Sequence, residues 1–292
     1  MYRSTLRAAV ALTAAVAALT SCTADTGEEP AAPSVESAST FRDAPVAGVN
    51  LRDGEIVLTF DDGPATSSAA VATLLQSKGI TGLFFAVSHH LGSVEGGAAR
   101  LDSAGVAKLD AVLDAGHVVG NHTHDHCIQG ASACGGRGMT TLSAAEARRQ
   151  IETADVLIRA AIASAGHDAS RYLPFFRSPG NAWSPALAQT LSQASLPSNA
   201  YGPVAWDVPR RGEEDFRCWS EGRSVTSCAA RYVSAFQAMP RGGQRAVVLV
   251  HDNFTQAREL TERFVNALAG TRTKAGNPVR FVHPRCIVGC TR

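Results

Sequence analysis

Residues 56–64 read IVLTFDDGP. Ile56–Phe60 is an apolar run of strand length, and Asp61, Asp62, Gly63 and Pro64 follow it directly. A short apolar run bounded by turn residues reads as a buried strand. Asp-Gly-Pro suits a strand-to-helix connection. Two adjacent carboxylates at a strand end repel each other unless something positive lies beside them. This segment alone therefore leaves a plain turn and a functional site equally open.

The same alternation continues outward. Further strands are predicted at Gly82–Val87, His117–Gly120, Tyr172–Phe176, Pro203–Trp206, Ala246–Val250 and Val279–Val282. Helices are predicted at Ser67–Ser77, Ala104–Ala115, Ala144–Ala165, Pro185–Ala194, Val225–Gln237 and Gln256–Ala269. The longest helix opens with Ser143 and Glu146 at capping-box spacing, and Ile151, Ala154, Ile158 and Ala161 recur at helical period. Strands alternating with helices predict an α/β domain with a mostly parallel sheet. About seven parallel strands make an incomplete or distorted (β/α) barrel, with a doubly wound open sheet as the alternative. In such folds, sites form where loops converge at the carboxyl ends of the strands.

Polar clusters sit at those ends. Asn121–His126 (NHTHDH) supplies three histidines in five residues after a short strand. His122 and His126 lie four apart, so a helical turn would put them on one side. His124, two from each, would point away, which makes His122 and His126 the preferred ligands. Phe176–Asn181 (FRSPGN) places Arg177 at a strand end before a Pro-Gly turn. Leu249–Asp252 (LVHD) follows the most apolar strand. One carboxylate and two imidazoles form a three-ligand metal set that leaves a position for water, the arrangement of catalytic sites. Asp61, next to the ligand Asp62, can take a water proton, and His251 can protonate a leaving group. Together these groups make machinery for metal-assisted hydrolysis of an amide or ester.

The chain has 292 residues, 45% hydrophobic, with formal net charge +1. That composition excludes wholesale disorder and argues against a nucleic-acid partner, which usually requires a basic surplus. Arg3 and Arg7 precede an apolar run from Ala8 to Leu19. A permanent membrane span needs about 20 apolar residues, so residues 1–21 read as an export signal. Leu19-Thr20-Ser21-Cys22 resembles a bacterial lipobox, with Cys22 as the lipidation site and a membrane anchor. An ordinary signal peptide is the alternative. Residues 22–48, rich in Ala, Pro, Ser and Glu, read as a flexible tether, and residues 49–292 as one domain. The other cysteines are Cys127, Cys134, Cys218, Cys228, Cys286 and Cys290. In an exported chain they predict disulfides, and sequence proximity favours 127–134, 218–228 and 286–290. The predicted location is the cell envelope, outside the cytoplasm.

Taken in order, TFDDGP, HTHDH, RSPG and LVH resemble the successive motifs of the polysaccharide deacetylase family, carbohydrate esterase family 4, also called the NodB homology domain. The resemblance covers about residues 50–285. It implies a distorted (β/α) barrel and a divalent metal, usually zinc, held by Asp62, His122 and His126. Asp61 would be the general base, His251 the general acid, and Arg177 would orient Asp61. Leu249 would line the acetyl pocket. The reaction would release acetate from an N-acetylated sugar in peptidoglycan, chitin-like or exopolysaccharide chains. Two departures stand out. The family's third motif carries an aromatic after the proline, where this chain has Gly180 and Asn181; the Gly180 N–H could still donate to an oxyanion. The family's fourth motif ends in Asp-Trp, and here both Asp207 and Asp215 compete to support His251. The loop 127–139 reads as an insertion beside the cleft that shapes substrate choice. Alternatives to the N-deacetylase are an esterase acting on O-acetylated glycans such as xylan, and an inactive glycan-binding lipoprotein.

Overall fold

The computed structural model describes residues 40–290. The predicted export signal, Cys22 and most of the predicted tether lie outside these residues. The strands are β1 (Thr40–Val46), β2 (Glu55–Asp61), β3 (Leu83–Ala86), β4 (Gly92–Glu95), β5 (Ala98–Leu101), β6 (Val118–Asn121), β7 (Tyr172–Phe176), β8 (Tyr201–Val204), β9 (Ala246–His251) and β10 (Arg280–Phe281). The helices are α1 (Ser68–Ser77), α2 (Ser103–Asp114), α3 (Ala144–Ser164), α4 (Pro185–Leu191), α5 (Asp215–Ser220), α6 (Val225–Ala238) and α7 (Ala257–Leu268). None of the described helices is long and apolar enough to cross a membrane.

Eight strands form one parallel sheet in the order β1-β8-β7-β6-β3-β2-β10, with β9 also paired to β2. The sheet curls into a distorted (β/α) barrel. Its seam is a single parallel bridge between Val208, just after β8, and Val248 of β9. Leu249 N–H donates to the Val208 carbonyl there at 2.8 Å.

Side chains alternate across each strand. Ile56, Leu58 and Phe60 of β2 face outward and pack with Val71, Leu75, Tyr232 and Phe264 from α1, α6 and α7. Val57 faces inward with Leu83, Phe85, Val118, Phe175 and Val247, which fill the barrel. Thr59 and Asp61 continue that inward face toward the carboxyl end. The capping box of α3 is formed: Ser143 Oγ accepts from Glu146 N–H at 3.3 Å, and Glu146 Oε2 accepts from Ser143 N–H at 2.9 Å.

Three expectations need correction. Residues 40–46 are not tether but strand β1, paired with β8. Phe41 packs 5.9 Å from the Phe176 ring and 6.2 Å from Trp183, so burial holds a segment whose composition reads as linker. The antiparallel hairpin β4–β5, turned at Gly96-Gly97, and the short helix α5 were not expected. The seventh predicted strand shrinks to the two residues of β10. The pairs Cys127–Cys134, Cys218–Cys228 and Cys286–Cys290 form disulfides.

Candidate active site

The ends of β2, β6, β7 and β9 converge on a cleft of about 400 Å³. Asp61, the last residue of β2, is 3% exposed. Its Oδ1 accepts from Arg177 Nη1 at 2.8 Å. Arg177 follows β7 and is wholly buried. It also donates from Nη1 to Thr59 Oγ1 at 2.8 Å, from Nε to the Val204 carbonyl at 2.9 Å and from Nη2 to the Ala205 carbonyl at 3.2 Å. Its guanidinium lies 4.4 Å from the Phe85 ring centroid. One side chain thus ties β2 to the end of β8 and fixes the angle of Asp61. A charge this deep is tolerable because its donors are paired.

Asp62 leaves the strand direction through a left-handed backbone, φ 75°, so its carboxylate turns from Asp61 toward the histidines. Asp62 Oδ1 lies 3.4 Å from His122 Nε2 and 3.0 Å from His126 Nε2. The second oxygen accepts from Asn253 Nδ2 at 3.2 Å. Burial works against the Asp62 carboxylate, yet the two imidazoles hold its pKa well below the ordinary value. His122 pairs its Nδ1 with the Arg177 carbonyl at 2.8 Å. Nδ1–H therefore donates and the Nε2 lone pair faces Asp62. Burial lowers the His122 pKa, but Asp61 and Asp62 raise it overall.

The histidines meet by a route that spacing did not predict. No helix forms at 122–126. Thr123 and His126 take left-handed conformations, φ 72° and 54°, which fold the loop back so that His126 returns beside His122. His124 pairs instead with Ser88, its Nδ1 2.9 Å from Ser88 Oγ. One carboxylate oxygen and two imidazole nitrogens, all within 4.8 Å of one another, fit a first-row divalent ion. Asp62 Oδ1 is buried without a hydrogen-bond partner, as expected of an atom whose partner is a metal.

Beside Asp61, His251 ends β9 and pairs with it in register. Asp215, wholly buried at the start of α5, accepts from His251 N–H at 2.7 Å and pairs with His251 Nδ1 at 2.6 Å. Burial depresses the imidazole, but Asp215 outweighs it and pushes the His251 pKa up to about 10. Asp207 plays no part here. It accepts from Gly48 N–H and Val247 N–H, both at 2.8 Å, at the other end of β9.

Leu249 and Gly180 line the cleft, and Gly180 adopts φ 60°. A β-carbon at Gly180 would sit 3.7 Å from Ile128, so the loop 127–139 brings Ile128 up beside the Gly-Asn step. Phe216 stands edge-on to His251, with centroids 5.4 Å apart, and Phe254 flanks the same ring at 6.4 Å.

Several supporting residues escaped the sequence reading. Gln150 of α3, 4% exposed, donates to Asp125 Oδ2 at 2.7 Å and accepts from Asp125 N–H at 2.8 Å. It clamps the histidine loop from behind. Asn121 joins that clamp, donating to the Ile151 carbonyl at 2.9 Å and accepting from Thr123 N–H at 2.9 Å. Asp252 lies wholly buried under the Asp61–Gly63 turn, its N–H donating to the Asp61 carbonyl at 3.0 Å. Burial, helped by the charges of Asp62 and Asp61, pushes its carboxyl up to about 7. A β-carbon at Gly63 would come within 2.5 Å of an Asp252 oxygen, so this turn requires glycine. The signal available for Asp252 was its place directly after His251.

The chain has counterparts among known proteins. A chitin disaccharide deacetylase of Vibrio alginolyticus is 37% identical over 75 residues, 26% of this chain and 17% of that enzyme. A family 4 carbohydrate esterase from Streptomyces lividans, solved in complex with acetate, superposes with TM-score 0.52 and 22% identity, covering 80% of this chain and 95% of its own. The peptidoglycan deacetylase PdaC from Bacillus subtilis gives TM-score 0.53 and 20% identity, covering 82% and 91%. These two structural likenesses carry the fold. The polysaccharide deacetylase family profile matches residues 48–198, a stretch that holds Asp61, Asp62, His122, His126 and Arg177. With more than half the chain matched, this protein belongs to the polysaccharide deacetylase family.

Proposed function

We propose that the protein is a metal-dependent deacetylase that hydrolyses N-acetyl groups on an N-acetylglucosamine-containing polysaccharide. The single observation that carries this reading is the gathering of a held carboxylate, a held imidazole and a three-ligand set at one cleft. Asp61, pinned by Arg177, pairs in register with His251, held by Asp215, and Asp62, His122 and His126 line the same cleft.

In this reading Asp62, His122 and His126 hold the metal, most naturally zinc. A bound divalent ion supplies Lewis-acid polarisation of the acetyl carbonyl and makes water a better nucleophile at neutral pH. Asp61 accepts the proton from water as its oxygen attacks the acetyl carbon. Arg177 keeps Asp61 Oδ1 occupied, so Oδ2 is the atom that takes the proton. His251, protonated because Asp215 favours imidazolium, delivers a proton to the sugar nitrogen as the carbon–nitrogen bond breaks. Acetate and a free amine result. Leu249 presents an apolar surface for the acetyl methyl, and the Gly180 N–H, on the cleft lining, would donate to the developing oxyanion.

We further propose that the domain works outside the cytoplasm, tethered to the membrane through a lipid on Cys22. The apolar run before Cys22 and the three disulfides support that location. The mass of the mature N-terminal peptide tests it: acylated Cys22 is expected, and an unmodified N-terminus at another residue would refute the anchor.

The test of the activity is acetate release from chitin oligosaccharides, peptidoglycan and acetylated xylan, with zinc, with chelator and with Asp61→Asn. Zinc-dependent release from the first two, lost in Asp61→Asn, is expected. Release from xylan alone would make the protein an ester hydrolase. Binding without release from any of them would make it a glycan-binding protein.

A further inference from the structure

Each carboxylate at the cleft has a cationic or imidazole partner, and one arginine there has no carboxylate. Asp61 pairs with Arg177 at 2.8 Å, Asp62 with His126 at 3.0 Å, and Asp215 with His251 at 2.6 Å. Glu214, 5% exposed, takes Arg217 at 3.1 Å. Among the described residues that line the cleft, Arg211 is the cation left without a carboxylate or any other hydrogen-bond acceptor.

Arg211 is also held in place at its backbone. Glu213 N–H donates to the Arg210 carbonyl at 2.9 Å, closing a turn with Arg211 and Gly212 at its corners. Gly212 takes φ 88°, which suits the third position of such a turn. The Gly212 N–H donates to both oxygens of buried Glu214 at 3.0 Å. Glu214 therefore anchors the turn while Arg217 neutralises it, and the positive charge of Arg211 faces the cleft unopposed. Guanidinium is a planar fork of donors suited to a carboxylate.

We propose that Arg211 reads a carboxylate on the substrate, so that the preferred glycan is anionic, with its carboxylate beside the reacting acetamide. This rests on the deacetylase reading above and narrows its substrate. The carboxylate has two chemical sources: a lactyl ether on an amino sugar, or a uronic acid next to the N-acetylated sugar.

The experiment measures zinc-loaded acetate release from three soluble oligosaccharides of equal length. One carries N-acetylated sugars with lactyl ethers, one alternates N-acetylglucosamine with uronic acid, and one is neutral chitooligosaccharide. Wild type is compared with Arg211→Gln and Arg211→Glu. Arg211 is exposed and its backbone holds the turn, so both variants keep the wild-type melting temperature. Wild type should prefer one anionic substrate, which identifies the source. In Arg211→Gln the ratio of anionic to neutral kcat/KM should fall about tenfold, as loss of one charge-assisted contact implies. The loss should appear in KM, and Arg211→Glu should lower the ratio further. A ratio that stays constant across the three proteins, or a wild type that prefers the neutral chain, would overturn the proposal while leaving the deacetylase intact. No acetate from any of the three would overturn the deacetylase reading, and this one with it.

Discussion

Replacing Arg177 by Met separates the two halves of the site. The wild-type guanidinium is wholly buried and spans Asp61, Thr59, Val204 and Ala205. Met fills much of the stem volume but leaves the Asp61 carboxylate buried without its cation. Breaking a buried pair by removing one partner costs about 3–5 kcal/mol. A domain of this size is stable by about 5–15 kcal/mol, so Arg177→Met should remain folded with its melting temperature about 10 °C lower. Asp61→Asn on top of Arg177→Met removes the stranded charge and should recover about 2 kcal/mol, a coupling readable in a double-mutant cycle by urea unfolding. Activity of Arg177→Met should fall by about 10²–10⁴, the usual contribution of a positioned base. Zinc affinity, however, should change little, because His122 Nδ1 bonds the main-chain carbonyl of residue 177 at 2.8 Å, not its side chain. Calorimetric zinc titration reads that directly. A destabilisation below about 1 kcal/mol, with activity retained, would refute the claim that this buried pair sets the base.

Other substitutions probe the remaining groups. Asp215→Asn removes the charge that raises His251 to about 10, so the alkaline limb of kcat/KM should move to lower pH; an unmoved limb would refute the assignment of His251 as the acid. The raised folded pKa also contributes stability that is full below about 6.5 and lost as pH rises through about 10. Urea midpoints should therefore fall between those pH values in chelator-treated wild type, and less so in Asp215→Asn. His126→Ala should weaken zinc binding by more than about 100-fold, whereas His124→Ala, whose ring turns to Ser88, should keep it. Gln150→Ala should cost about 10- to 100-fold in zinc affinity without unfolding α3, because it frees Asp125 and the loop behind His122 and His126; unchanged affinity would show that the clamp is dispensable.

What the sequence made legible follows from period and position. The β2 run and its Asp-Asp end, the capping box at Ser143 and the strand-end placement of Arg177 and His251 are local facts, so they could be read directly. Strand β1 could not, because Thr40–Val46 carries an Arg, an Asp and a Pro and becomes a strand only when β8 offers an edge. Gln150 was invisible for a related reason. It is one polar residue within an amphipathic helix, and only tertiary packing brings Asp125 to it. The choice between Asp207 and Asp215 turned on geometry that spacing does not contain. Both follow β8, yet one reaches Val247 and the other His251, four residues or about 13 Å apart along β9. His122 and His126 were selected by supposing a helical turn, while the actual turn depends on left-handed Thr123 and His126.

The β2–β9 pairing explains why the site needs both parts of the chain. The family match ends at residue 198, while Asp215, Leu249 and His251 all lie beyond it. They come to the site because β9 runs parallel to β2 with Ile56 opposite Ala246 and Asp61 opposite His251. In a parallel pair, one register sets every later pair along the strands. A slip of one residue would turn His251 and Leu249 outward into the apolar layer under α7 and carry Val250 into the cleft. Val248 and Val250 are held in that layer by Leu260 and Phe264, so hydrophobic burial on the outer face enforces the position of the imidazole on the inner one. The distance from Asp61 to His251 is therefore set by packing that neither residue touches. Cavity-forming changes in that layer, such as Phe264→Ala, are the ones from which a remote loss of activity is expected.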